Sequence, residues 1–138
     1  MESMKTLFVD TSAWVAVVNR RDQYYTAASE FYRKSFKEYD RFLTTNLVAA
    51  ETYILLRFDC GLDVALSWWE RISTSLKVEI LYVDADLTSE AFNYLRKYRD
   101  QRFSLTDAVS FSVMKQKNIQ DAFTFDVHFS IAGFIKLP

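Results

Sequence analysis

Short apolar runs alternate with helical segments along the whole chain, and this alternation restricts the fold more than any other feature. Thr6-Leu7-Phe8-Val9 reads as a buried strand ending at Asp10. Arg41-Phe42-Leu43-Thr44, residues 78–83 and residues 122–125 read as further strands, with residues 133–137 as a fifth candidate. Helical spacing fills the intervals: Thr11-Ser12 offer caps for a helix to about residue 18, and residues 24–39 follow after the polar break Arg20-Arg21-Asp22. Asn46 reads as the cap of a helix to Cys60, closed by Gly61, and residues 62–76, 87–99 and 104–117 give three more. Strands alternating with helices predict an α/β domain, a parallel sheet covered on both faces. No internal repeat or Pro/Gly-rich linker interrupts the pattern, so residues 1–138 are expected to form one domain. Ligands of such sheets sit outside the carboxyl ends of the strands. Two of these strands end in an aspartate.

Composition removes most other sources of chemistry. Two glycines, Gly61 and Gly133, cannot build a phosphate-cradling G-x-G-x-x-G or G-x-x-x-x-G-K loop, nor a G-x-S-x-G elbow. One His and one Cys exclude the common zinc sites and an internal disulfide. The balance of 17 Lys+Arg against 18 Asp+Glu gives no overall attraction to nucleic acid. No export signal or membrane-length apolar run is visible, and a lone thiol fits the reducing cytoplasm, where the chain is expected to reside, with no membrane partner.

Carboxylates remain, and several stand in unusual places. Leu47, Glu51, Ile54, Leu55 and Phe58 fall on one helical face, so Glu51 is expected within a core-facing stripe. A carboxylate there needs either an ion pair with a neighbouring Arg or a metal or functional cleft. Asp10 has a capping role open to it, which Thr11 and Ser12 could fill instead. Ser104-Leu105-Thr106-Asp107 has the form of a capping box, yet the helix it opens is apolar nearly all round and should lie buried, its start at the same sheet edge as Asp10. Asp126 closes the Ala-Phe-Thr-Phe strand. Four carboxylates cannot all stay ionised side by side without a cation. Oxygen ligands without His or Cys indicate Mg2+ or Mn2+, and such a site activates water and neutralises a scissile phosphate, as in one- or two-metal nucleases.

Phe8-Val9-Asp10-Thr11-Ser12, Asn46-Leu47-Val48-Ala49-Ala50-Glu51, Leu105-Thr106-Asp107-Ala108 and Thr124-Phe125-Asp126-Val127-His128-Phe129 occur in that order. In this ordered set the chain resembles the PIN-domain family, and particularly its VapC-like toxin ribonucleases. The resemblance covers essentially the whole chain. It implies a three-layer α/β/α fold with a central sheet of four or five parallel strands, and Mg2+- or Mn2+-dependent cleavage of RNA. Carried over by position, it makes Asp10, Glu51, Asp107 and Asp126 the metal-binding catalytic acids, and Ser12 and Thr124 supporting or substrate-side hydroxyls. It further implies a homodimer and, for a toxin, a small antitoxin protein that blocks the acidic groove. Asn118 stands where many members have a turn glycine, a place Asn tolerates. Asp121 precedes its strand and is assigned to the opposite sheet edge.

Other residues have structural readings. Cys60 beside Gly61 reads as structural, and His128 as a packing residue near the rim of the site. Trp68-Trp69 favour a core or protein-contact role over stacking on RNA bases. Two segments interleave aromatic and basic residues, Phe31 to Lys37 and Tyr94 to Arg102; with Arg20 and Arg21 they are the candidates for phosphate contacts, or simply solvated helix faces. Two rival functions stand beside the ribonuclease. One is a non-catalytic RNA- or protein-binding module on the same fold. The other is Mg2+-dependent phosphotransfer, for which the D-x-D pattern fails at Ser12 and the acidic pair of a receiver is lacking.

Overall fold

Leu7, Phe8 and Val9 have no solvent exposure because their strand is the middle of the sheet. The computed structural model describes residues 4–138. In it β1 (Thr6–Val9) lies between β2 (Arg41–Thr45) and β4 (Asp121–Phe123), with β3 (Val78–Leu81) and β5 (Ile135–Leu137) outermost. Every pairing is parallel, so every connection crosses over. The crossovers are α1 (Thr11–Val18) and α2 (Tyr25–Glu38), then α3 (Asn46–Cys60) and α4 (Leu62–Thr74), then α5 (Ala85–Lys97) and α6 (Leu105–Gln116). A single turn, α7 (His128–Ile131), joins β4 to β5. The result is the three-layer α/β/α arrangement with five parallel strands. No helix among the described residues is long and apolar enough to cross a membrane.

Several local expectations shift by a residue or two. Thr45, not Asn46, caps α3: its side chain accepts the Val48 N–H at 3.2 Å. Asn46 instead accepts the Val83 N–H at 2.8 Å and ties α3 to the segment after β3. Asp10, not Thr11 or Ser12, holds the cap position of α1, where its backbone carbonyl receives the N–H groups of Ala13 and Trp14. That leaves the Ser12 hydroxyl free for other work. β4 stops at Phe123, so Asp126 stands in the following loop rather than at the strand end. Asn118 adopts the left-handed conformation its turn requires, with φ 55°. Asp121 does lie at the opposite edge, where it accepts the Tyr39 hydroxyl at 2.6 Å.

The stripe expected to bury Glu51 faces the other way. Val48, Ala49, Thr52 and Leu56 are the buried residues of α3, whereas Ile54, Leu55 and Phe58 are exposed, Phe58 to 83%. The helix carries apolar side chains on two faces, and the one with small residues packs closest to the sheet. Two aromatic residues of α2 pack against the core, Phe31 on Phe123 and Tyr32 on Phe42 and Trp14, while Phe36 stays exposed. Arg33, Lys34 and Lys37 are left as a solvated face. Trp68 is buried and Trp69 partly exposed.

One buried polar link spans this core. The Trp14 indole N–H donates to the Thr44 hydroxyl at 3.3 Å, and that hydroxyl donates to the Val9 carbonyl at 3.1 Å. Thr44→Val preserves shape and removes both bonds, leaving a fully enclosed N–H without a partner. Stability should fall by about 1–3 kcal/mol, read as a lower denaturation midpoint with an unchanged slope.

Candidate active site

The parallel register builds the site from β1 and β4. Val9 pairs with Phe123, and the Asp10 N–H donates to the Phe123 carbonyl at 3.0 Å, so the next residues, Asp10 and Thr124, emerge side by side. The Thr124 hydroxyl donates to Asp10 Oδ2 at 2.9 Å, and the Ser12 hydroxyl reaches the same oxygen at 3.2 Å. Both hydroxyls are themselves oriented from behind. The Asp126 N–H donates to Thr124 Oγ1 at 3.0 Å, and the Phe125 N–H to Ser12 Oγ at 2.9 Å. Ser12 and Thr124 thus fix the carboxylate of Asp10 and connect it to the loop that carries Asp126.

Glu51 enters from α3 and is held by two threonines that the sequence reading passed over. Thr106 at the start of α6 donates to Glu51 Oε1 at 2.7 Å, and Thr11 at the start of α1 donates to Oε2 at 3.3 Å. Three helices therefore meet on one carboxylate, and among the described residues no arginine pairs with it. Asp107 completes the capping box in both directions, accepting the Ser104 N–H at 3.1 Å while Ser104 Oγ accepts the Asp107 N–H at 3.0 Å. The helix behind it is buried from Thr106 to Met114.

Asp10, Glu51, Asp107 and Asp126 line one cleft of about 600 Å³. Arg102 lies on its wall, as do Tyr24 and Phe125, whose rings stack at 4.4 Å and nearly parallel. Arg20 and Arg21 do not contribute: Arg20 lines a separate hollow with Trp14 and Trp68, and the Arg21 guanidinium donates to the Asp59 carbonyl. His128 is more than a packing residue. Its Nδ1 lies 3.0 Å from Asp107 Oδ2 and 3.5 Å from Asp126 Oδ1. The sequence signal for this was its position two residues after Asp126, with α7 turning the ring back toward α6.

The charges in the cleft are poorly compensated. Among the described residues no Lys or Arg comes within ion-pair distance of any of the four acids. Burial pushes the Asp10 carboxyl up to about 6, and the neighbouring Asp107 and Asp126 add to the rise, against hydrogen bonds from the Thr11 backbone and Thr124 that lower it. Clustered hard oxygens with unrelieved negative charge fit a divalent cation. Asp10, Glu51, Asp107 and Asp126 all line the cleft that could receive it, and Asp107 and Asp126, with His128, bring ligand atoms within 4.8 Å of one another.

An acidic cleft at the carboxyl edge of a five-stranded parallel sheet, with helices on both faces, is the arrangement of a PIN domain. The PIN domain profile matches residues 7–135, and the chain belongs to this family. Among its relatives is the 23S rRNA-specific endonuclease VapC20 of Mycobacterium tuberculosis, 37% identical over 132 residues that make up 95% of this chain and 97% of that protein. The crystal structure of M. tuberculosis VapC20, described as a sarcin–ricin-loop-cleaving toxin, superposes with a TM-score of 0.87 at 36% identity, over 94% of this chain and 96% of that one. The VapBC2 structure from Rickettsia felis shares the fold at a TM-score of 0.65 and 16% identity, covering 95% of this chain and 96% of its own.

Proposed function

We propose that this protein is a divalent-metal-dependent endoribonuclease, the toxin of a VapBC-type pair, and that its substrate is 23S rRNA at the sarcin–ricin loop. The observation that carries the chemistry is the convergence of Asp10, Glu51, Asp107 and Asp126 on one cleft, with no Lys or Arg within ion-pair distance of them among the described residues. The likeness to VapC20 across nearly the whole chain supports the choice of RNA. In this reading the four acids would hold Mg2+ or Mn2+, which when bound would supply polarisation of the attacking water and compensation of charge on the phosphate.

The chain's own residues do the positioning. Ser12 and Thr124 keep the Asp10 carboxylate aimed into the cleft, and Thr11 and Thr106 do the same for Glu51. Arg102 is placed to contact a backbone phosphate. The Tyr24–Phe125 stack offers an aromatic wall to a base splayed out of an RNA loop. The overall charge of −1 does not oppose this, because phosphate contacts are local and Arg102 stands at the cleft itself.

The proposal includes partners and place. Ile54 on α3 with Leu66 and Trp69 on α4, all exposed, line one apolar hollow suited to protein contacts, and we assign it to a homodimer and a small antitoxin. With ribosomal RNA as the proposed substrate, we assign the protein to the cytoplasm. The test is incubation of purified protein with ribosomes in Mg2+ or Mn2+, mapping 23S rRNA ends by primer extension. One cut in the sarcin–ricin loop, abolished by EDTA, is expected. A cut that survives EDTA ends the metal mechanism, and cuts scattered over the rRNA end the assignment of target.

A further inference from the structure

We infer that His128 is a metal ligand through Nδ1, making the cleft a mixed nitrogen–oxygen site that favours Mn2+ over Mg2+. The inference rests on the metal-dependent reading above and adds to it a residue that the four-acid set does not contain. Asp107, Asp126 and His128 each offer a ligand atom, and these atoms all lie within 4.8 Å of one another. The individual separations are more informative. Adjacent ligands in an octahedral shell with bonds of about 2.1 Å stand ~3 Å apart. Nδ1 is 3.0 Å from Asp107 Oδ2 and 3.5 Å from Asp126 Oδ1, the spacing of neighbours on one such shell.

The ring is held where it is from two sides. The His128 N–H donates to Asp126 Oδ1 at 2.9 Å, which locks the residue to the loop that carries the acid. Phe103 packs edge-on against the imidazole at 5.3 Å. Binding an ion through Nδ1 requires the ring proton on Nε2, and the Nδ1 position beside the two carboxylates leaves room for that arrangement. Mg2+ is a hard ion that prefers an all-oxygen shell, while first-row transition ions accept imidazole nitrogen more readily. One nitrogen among the donors therefore tilts the choice of ion without changing the charge of the cluster.

The alternative is that His128 only donates a hydrogen bond to Asp107, and the two roles separate in a spectrum. Mn2+ added to the whole purified protein gives a pulsed electron paramagnetic resonance signal in which a directly bound imidazole appears as nitrogen-14 modulation. That modulation is expected in the wild type and should vanish in His128→Ala. His128→Asn, which can still donate a hydrogen bond, should lose it as well. Mn2+ affinity by titration should fall on the order of tenfold or more in both variants, and Mg2+ affinity distinctly less. Bound Mn2+ without nitrogen modulation in the wild type overturns the ligand assignment and leaves the four-acid reading standing. Equal losses for the two ions overturn the selectivity. Failure of Mn2+ to bind at all overturns this inference together with the metal-dependent reading.

Discussion

Asp10→Asn should abolish RNA cleavage, by on the order of a thousandfold or more, and at the same time raise the thermal stability of the metal-free protein at pH 8. The two effects have one cause. Asp10 is 5% exposed, and burial lifts its carboxyl from 3.8 to about 6. Its folded-state value lies above its unfolded one, so between those limits the folded protein binds more protons. Stability therefore falls as pH rises from about 4, and the penalty is complete above about 6, with a ceiling of about 3 kcal/mol. An asparagine of the same shape can accept the Ser12 and Thr124 hydroxyl bonds and carries no charge. Melting curves in EDTA should show the variant several degrees above wild type at pH 8, with the gap closing toward pH 4. A gap of the same size at both pH values would mean that charge burial is not its source. Added Mn2+ should stabilise the wild type and leave the variant nearly unmoved, because the ion offsets the charge that the variant lacks.

Asp107 joins a structural role to a chemical one, and two substitutions should pull them apart. Asp107→Asn retains an oxygen for the Ser104 N–H but loses the charge. Cleavage should fall by on the order of a hundredfold or more, while stability stays within about 1 kcal/mol of wild type. Ser104→Ala removes the hydroxyl that receives the Asp107 N–H and leaves the carboxylate in place. It should cost about 1 kcal/mol of stability and reduce cleavage only a few-fold. Equal kinetic losses in the two variants would show that Asp107 acts through the cap alone. Denaturation midpoints and single-turnover rates on the same RNA fragment give both quantities.

The sheet was legible because its strands are short, apolar and bounded by polar residues, and because parallel strands must alternate with helices. The face of α3 was not legible. Leu47, Ile54, Leu55 and Phe58 form as good a stripe as Val48, Ala49, Thr52 and Leu56, and periodicity cannot choose between two apolar faces. Glu51 was thus picked out by an argument from burial that the structure reverses. It reaches the cleft from a partly exposed position, steadied by Thr11 and Thr106. Those threonines were hidden because their role depends on three helix starts meeting in space. His128 was hidden for a related reason, since the one-turn helix that redirects it is too short to leave a periodic trace. The aromatic and basic residues of α2 looked like a nucleic-acid surface until the core claimed Phe31 and Tyr32.

β4 enters the sheet beside the first strand of the chain, although more than a hundred residues separate them. Asp10 stays without Thr124, Asp126 and His128 until that late strand docks, and no shorter stretch of the sequence holds the complete cleft. During synthesis the early strands and helices are made first, and the long-range pairing that closes the sheet comes late. A chain still emerging from a ribosome therefore carries the parts of the acidic cleft but not the assembled blade, which sharpens only when the C-terminal segment is in place.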